Sequence, residues 1–261
     1  MKFGMPTLIE LPSLRSCAAL CAELGLDFIE LNMNLPQYQP QAIDPAALYA
    51  VAQRYGISYT VHIDENLNFS DFNRDVAQAY TRSVLQTIGF ARVLGIPVLN
   101  MHLLRGVHFT LPDKKVYLFD AYREIYLDSV RRFRDVCTEA IGGEKIRICM
   151  ENYSGYLDYQ REALDVLLES PAFGLTIDVG HNHVCRGMDE GFILERGDRL
   201  CHMHLHDAQG TRDHLALGRG EMDIDACLRM AQDHGCSVVL ETKTIAGLRE
   251  SVAWIRSHCG E

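Results

Sequence analysis

Residues 146–178 read IRICMENYSGYLDYQREALDVLLESPAFGLTID. An apolar run, Ile146–Asn152, leads into a segment of helical periodicity, Tyr159–Glu169, and a second apolar run opens at Phe173. Short apolar runs rich in β-branched residues read as buried strands. Apolar residues spaced by three and four read as the inner stripe of a helix. Strand, helix and strand in that order make a right-handed crossover between parallel strands. Both strand-like runs arrive at a carboxylate: Cys149-Met150-Glu151 in the first and Thr176-Ile177-Asp178 in the second.

Working outward, the same alternation runs along the whole chain. Strand-like pieces are Lys2–Leu8, Phe28–Met33, Ser58–Asp64, Val98–Leu104, Ile146–Asn152, Phe173–His181, Leu200–Asp207 and Ser237–Lys243. The helix-like pieces after them are Leu14–Leu24, Pro45–Tyr55, Val76–Leu94, Tyr117–Ile141, Tyr159–Glu169, Asp189–Arg196, Ile224–His234 and Ala246–His258. Gly25, Gly56, Gly95, Gly142 and Gly235 each come just after a helical pattern, where a left-handed residue ends a helix. Asp44-Pro45 pairs an N-cap with a proline at the first helical position. Eight units in 261 residues, with no linker, close repeat or low-complexity stretch, predict one α/β domain over 1–261, a (β/α)8 TIM barrel. An open doubly wound sheet is the alternative, but no GxGxxG opens the first helix.

Composition narrows the function classes. Hydrophobic residues at 48% and charged residues at 23% fit a soluble globular protein. A net charge of −10 argues against nucleic acid or an anionic membrane as a partner, although a local basic strip can sit on an acidic protein. The nine cysteines show no CxxC and no regular framework, and Cys149 and Cys201 fall inside apolar runs. This reads as a reduced, cytoplasmic protein. The opening residues, Met1 to Leu11, show no signal peptide, and no apolar run is long enough to span a bilayer.

Six strand-like runs stop on a titratable residue: His62, His102, Glu151, Asp178, His204 and Glu241. A barrel brings its strand ends to one face, where the active sites of this fold lie. Any one of these residues alone is most simply a hydrogen-bonded strand terminus. Glu151, Asp178 and Glu241 together crowd three negative charges into one mouth, which is costly unless a cation or proton is shared. A divalent ion removes that cost, and His204 adds a nitrogen suited to a transition metal. Downstream, HMHLHD (202–207), RDH (212–214) and LGRGE (217–221) form a polar, glycine-bearing stretch able to wrap a small polar ligand. Gly218, Gly220 and Lys243 are candidates for a phosphate subsite, with Lys243 pairing to Glu221 or Asp223 as the plain alternative. Tyr117, Phe119, Tyr122 and Tyr126 read as core or rim packing, with a homo-oligomer interface left open.

The motifs HID (62–64), NMH (100–102), MENYSG (150–155), IDVGH (177–181), HMHLHD with RDHLALGRGEMD (202–223) and LETK (240–243) resemble the xylose isomerase-like TIM barrel superfamily. Within it they resemble the sugar phosphate isomerase/epimerase branch. The resemblance implies one Mn, Zn, Co or Mg ion on Glu151, Asp178, His204 and Glu241. The two glutamates would double as acid and base around a metal-stabilised cis-enediolate of a small sugar or sugar phosphate. His181 and Arg212 would touch substrate hydroxyls. The same superfamily holds endonuclease IV-type abasic-site nucleases with three zinc ions, and His62, His102, His181 and His214 stand at matching places. That pattern has an Asp two residues before the last His, where this chain has Arg212 and a displaced Asp213. DNA cleavage is therefore the second reading, and a keto-inositol-type dehydratase a third. His62, His102 and His214 are assigned to substrate, with a second ion on His62, His102 and Glu151 as the alternative.

Overall fold

The alternation closes on itself. In a computed structural model that describes residues 1–258, eight parallel strands form a closed barrel in simple sequential order. They are β1 (Lys2–Pro6), β2 (Phe28–Asn32), β3 (Ser58–His62), β4 (Val98–His102), β5 (Arg147–Glu151), β6 (Phe173–Asp178), β7 (Leu200–Leu205) and β8 (Ser237–Leu240). Helices α1 (Leu14–Glu23), α2 (Pro45–Tyr55), α3 (Arg74–Leu94), α4 (Arg123–Ile141), α5 (Asp158–Leu168), α6 (Glu190–Leu194), α7 (Ile224–Asp233) and α8 (Ile245–His258) alternate with them. The five glycines expected to end helices all take positive φ, between 59° and 67°. Asp44 caps α2 by accepting the Ala46 N–H at 2.9 Å. Among the described residues, no helix is long and apolar enough to cross a membrane.

Strand register explains how the chain divides its apolar and polar residues. Side chains alternate along a strand, and paired residues point the same way. Glu30 pairs with Thr60, His62 with Asn100, His102 with Glu151, Thr176 with His202, and Asp178 with His204, so the inward face is polar. The residues between them, such as Leu31, Val61, Leu99, Met150, Ile177 and Met203, face the helices and are fully buried. The hydrophobic core is thus the shell between strands and helices. The barrel interior carries most of the buried polar groups, with Phe28 and Val239 among the apolar residues that face it.

Three local expectations are corrected. The sixth strand ends at Asp178, not His181, because the Asp178 side chain caps a short helix, Val179–Val184, by accepting the His181 N–H at 2.7 Å. The segment expected as one helix from Tyr117 is broken at Tyr122 (φ −117°, ψ 45°); Tyr117 itself joins a hairpin, Lys115–Tyr117 against His108–Thr110. Of its aromatics, Phe119 and Tyr126 are buried and stack at 4.3 Å, whereas Tyr122 is 54% exposed. The stretch after β7 is also not plain loop: Asp207–Gln209 pairs antiparallel with Arg212–Leu215. Buried Asp207 ties down both ends of this stretch by accepting N–H groups of Ala208, Gly220 and Met222 at 2.8, 2.8 and 3.2 Å.

Phe173 opens β6 wholly buried, its ring 6.1 Å from that of Phe133. Phe173→Ala is expected to lower the unfolding free energy by about 3–5 kcal/mol in denaturant titration. A loss under about 1 kcal/mol would mean that the shell repacks freely there.

Candidate active site

Parallel strands deliver their last residues to one end of the barrel, and Glu151, Asp178, His204 and Glu241 converge there. One ligand atom from each lies within 4.8 Å of the others, and all four residues are buried. His204 Nδ1 sits 3.2 Å from Glu151 Oε1, 3.1 Å from Glu241 Oε2 and 3.9 Å from Asp178 Oδ2. Two more histidines approach Glu151 from β3 and β4: His62 Nε2 and His102 Nε2 are each 3.3 Å from Oε2. Asn100 donates its amide to the same oxygen.

Several of these atoms have no hydrogen-bond partner despite full burial: His204 Nδ1, Glu241 Oε2, His181 Nδ1 and His102 Nε2. Buried polar atoms are otherwise nearly always paired. Unpartnered atoms converging on one point fit a cation held between them, and three carboxylates with one imidazole suit a small divalent metal. The donor set therefore fits the ion expected from the sequence.

Electrostatics lead to the same place. Burial pushes the Glu151 and Glu241 carboxyls up, but neighbouring histidine charge, chiefly that of His204, overrides it and holds both well below the usual carboxylate range. Burial pushes His204 down, and the charges of Glu151, Glu30 and Glu241 bring it well above the usual imidazole range. Without an ion, protons on histidines supply the positive charge that the carboxylates demand. His62 shows it most simply: burial opposes its protonation, but the contact with Glu151 raises it to about 9.

The mouth opens into a cavity of about 460 Å³ lined by His62, His102, Tyr153, His181, His214 and Lys243, among others. Tyr153 stacks on His102 at 4.9 Å and builds one wall. A larger hollow of about 640 Å³ lies outside the mouth, between the Val179–Val184 helix and α7, away from the converged ligands. Four of the five residues expected to meet substrate line the mouth. Arg212 does not; it is exposed, two residues before His214 on the hairpin. Lys243 pairs with Glu241 Oε1 at 2.8 Å, rather than with Glu221 or Asp223. Asp213, despite its displacement, comes to 3.0 Å from His214 Nδ1 and 3.9 Å from His181 Nε2.

A layer beneath Glu151, Asp178, His204 and Glu241 is absent from the sequence-based expectations. Glu30, in the middle of β2, is 1% exposed; one oxygen takes the Thr60 hydroxyl at 3.1 Å and His202 Nε2 at 3.0 Å, and the other lies 2.9 Å from His204 Nε2. A glutamate inside the apolar run FIELN is the signal that could have found it. His206 stood out in the sequence only as part of a histidine-rich strand; it lies buried against Asp178.

These shifts set a pH window for the metal-free protein. His62 has a raised folded-state pKa, so its stabilisation is complete below about 6.5 and fades as pH rises through about 9. Glu151 has a lowered one, so its stabilisation holds above about 4.5 and fades on acidification. Metal-free protein should therefore lose thermal stability from pH 6.5 to 9, and His62→Gln should flatten that decline. An equal slope in the variant would remove His62 from the account.

A family model for the xylose isomerase-like TIM barrel matches residues 18–258. No curated protein gives a significant sequence match. Among solved structures, a D-tagatose 3-epimerase-like protein superposes with TM-score 0.81 at 23% identity, over 99% of this chain and 97% of that one. The IolI protein with a bound zinc atom gives 0.75 at 16% identity, over 98% and 97%. The probable 3-DHS dehydratase AsbF from Bacillus anthracis gives 0.76 at 12% identity, over 100% of both chains. With the barrel closed and the family model spanning nearly the whole chain, this protein belongs to the xylose isomerase-like TIM barrel family.

Proposed function

We propose that the chain is a divalent-metal-dependent isomerase or epimerase acting on a small sugar or sugar derivative. One observation carries the reading: Glu151 and Glu241, from strands three apart round the ring, both reach His204 Nδ1 beside Asp178, and orphaned buried atoms surround them at the mouth of a cavity. Glu151, Asp178, His204 and Glu241 would hold the ion. A bound divalent cation polarises a carbonyl and its neighbouring hydroxyl.

The protein's own groups do the rest. Both glutamates are held ionised, the state a general base requires. One removes the proton from the carbon next to the carbonyl and becomes the carboxylic acid; the other, once it has taken up a proton from solvent, delivers that proton to the planar enediolate from its own side. Lys243 on Glu241 and Asn100 on Glu151 orient the two carboxylates. His62, His102, His181 and His214 offer ring nitrogens to substrate hydroxyls around the cavity, and Arg212 stands on the hairpin close to His214. The free cysteines fit a reducing compartment such as the cytoplasm. Epimerase-like and zinc-bound structures among the superposed barrels support the reaction class. The probable dehydratase among them marks loss of water as the neighbouring chemistry.

Glu151→Gln and Glu241→Gln should each lower turnover by about 10²–10⁴-fold. They should also abolish incorporation of solvent deuterium into substrate, as followed by NMR over a panel of free and phosphorylated sugars. Wild-type protein that exchanges no proton on any of them, while carrying its ion, would overturn the isomerase reading. A product one water lighter than substrate would select the dehydratase.

A second reading has one observation in its favour. Asp213 lies 3.9 Å from His181 Nε2 and 3.0 Å from His214 Nδ1, donors for a further zinc beside the four-residue set. Elemental analysis near three zinc ions per chain, with nicking of an abasic duplex, would favour DNA cleavage. One ion and no nicking would eliminate it.

A further inference from the structure

His202, His204 and His206 alternate along HMHLHD, and only His204 belongs to the proposed metal set. His206 lies with His181 and His214, ligand atoms within 4.8 Å of one another, as though to hold an ion of its own. Its hydrogen bonds assign it otherwise. The backbone N–H of His214 points into His206 Nδ1 at 2.8 Å, and an N–H can only donate, so Nδ1 is the acceptor. Nε2 then carries the hydrogen and faces the Asp178 carboxylate at 3.1 Å. A neutral ring used in this way has no lone pair left for a metal.

The seat of this ring is built for it. A Cβ at Gly180 would fall 2.0 Å from His206 Cε1, so the turn after Asp178 admits the imidazole only because residue 180 is glycine. Asp178 is held from its other sides as well. His181 N–H donates to its carboxylate at 2.7 Å, and Asn152 clamps its backbone through bonds of 2.9 and 3.0 Å. On the far side of His206 stands the hairpin. His214 adopts φ +55°, a left-handed backbone uncommon outside glycine, and its ring stacks on His206 at 4.2 Å and 13°. His214 also lines the cavity.

We infer that His206 is a positioning residue that joins the ligand Asp178 to the substrate-facing hairpin of His214, so that one imidazole fixes both at once. The inference rests on the metal-centre reading proposed above. Two substitutions separate its two bonds. Asparagine places a polar atom where Nδ1 stands and keeps an acceptor for His214 N–H, while losing reach to Asp178. Glutamine places its amide where Nε2 stands and keeps a donor to Asp178, while releasing the hairpin.

The experiment titrates metal-free protein with Co²⁺, follows the visible absorption, and measures amide hydrogen exchange over residues 212–215 in the loaded protein. His206→Asn should weaken Co²⁺ binding about 10–100-fold with the hairpin protected as in wild type. His206→Gln should bind Co²⁺ within about threefold of wild type while hairpin exchange accelerates roughly tenfold or more. Both variants shifting both readouts alike, or neither variant shifting either, would overturn the positioning role while wild-type binding upheld the metal centre. Wild-type protein that binds no Co²⁺ would overturn the metal centre and this inference with it.

Discussion

Four carboxylates buried inside one barrel set the terms for the rest of this structure. Glu30, Glu151, Asp178 and Glu241 range from 0% to 7% exposed, and all but Glu30 stand at the mouth. Uncompensated charge at such depth is prohibitive. The chain compensates it with histidines from β3, β4 and β7, with Asn100, and with Lys243 at the rim. The polar interior of the barrel, the displacement of the hydrophobic core into the outer shell, and the crowding of imidazoles round one point are all consequences of holding that charge. Enzymes concentrate perturbed groups where chemistry needs them, and here the perturbed groups and the converging strand ends coincide.

The compensation is layered. At the top, carboxylates and His204 face one another with atoms unpaired. Beneath them Glu30 contacts His204, and His202 and Thr60 close round Glu30. To the side, His206 and Asn152 fix Asp178. Hydrogen bonds from such supporting residues fix the orientation of the carboxylates, and the contact with Glu30 that of His204. The hairpin after β7 extends the arrangement outward: Asp207 gathers three backbone N–H groups from the loop, and His214 returns to the cavity at the cost of a left-handed backbone.

Much of this is legible in the sequence. The barrel is implied by eight alternations, and the gathering of Glu151, Asp178, His204 and Glu241 at one mouth by six strand-like runs that stop on His, Asp or Glu. Both are periodic signals, set by local chain geometry. The features that escape depend on contacts between distant residues. Asp178 ends its strand early because its own side chain caps the next helix, a choice that apolar Val179 conceals. The hairpin at Asp207–Leu215 is built from two short strands, DAQ and RDHL, with no apolar alternation to announce it. Glu30 sits in the middle of an apolar strand, and only closure of the barrel brings it within 3.0 Å of His202, far away in the chain. Arg212 is expected at the substrate from the resemblance alone, yet it is exposed on the hairpin and does not line the cavity. The displaced Asp213 nevertheless lies 3.0 Å from His214 Nδ1 and 3.9 Å from His181 Nε2 on the hairpin.

A crystal structure of the protein grown with Mn²⁺ or Zn²⁺, with anomalous data collected at the corresponding absorption edge, bears on the central claim most directly. The account predicts an anomalous peak within bonding distance of Glu151, Asp178, His204 and Glu241. An empty mouth, with His204 Nδ1 turned to a carboxylate at saturating metal, would contradict it.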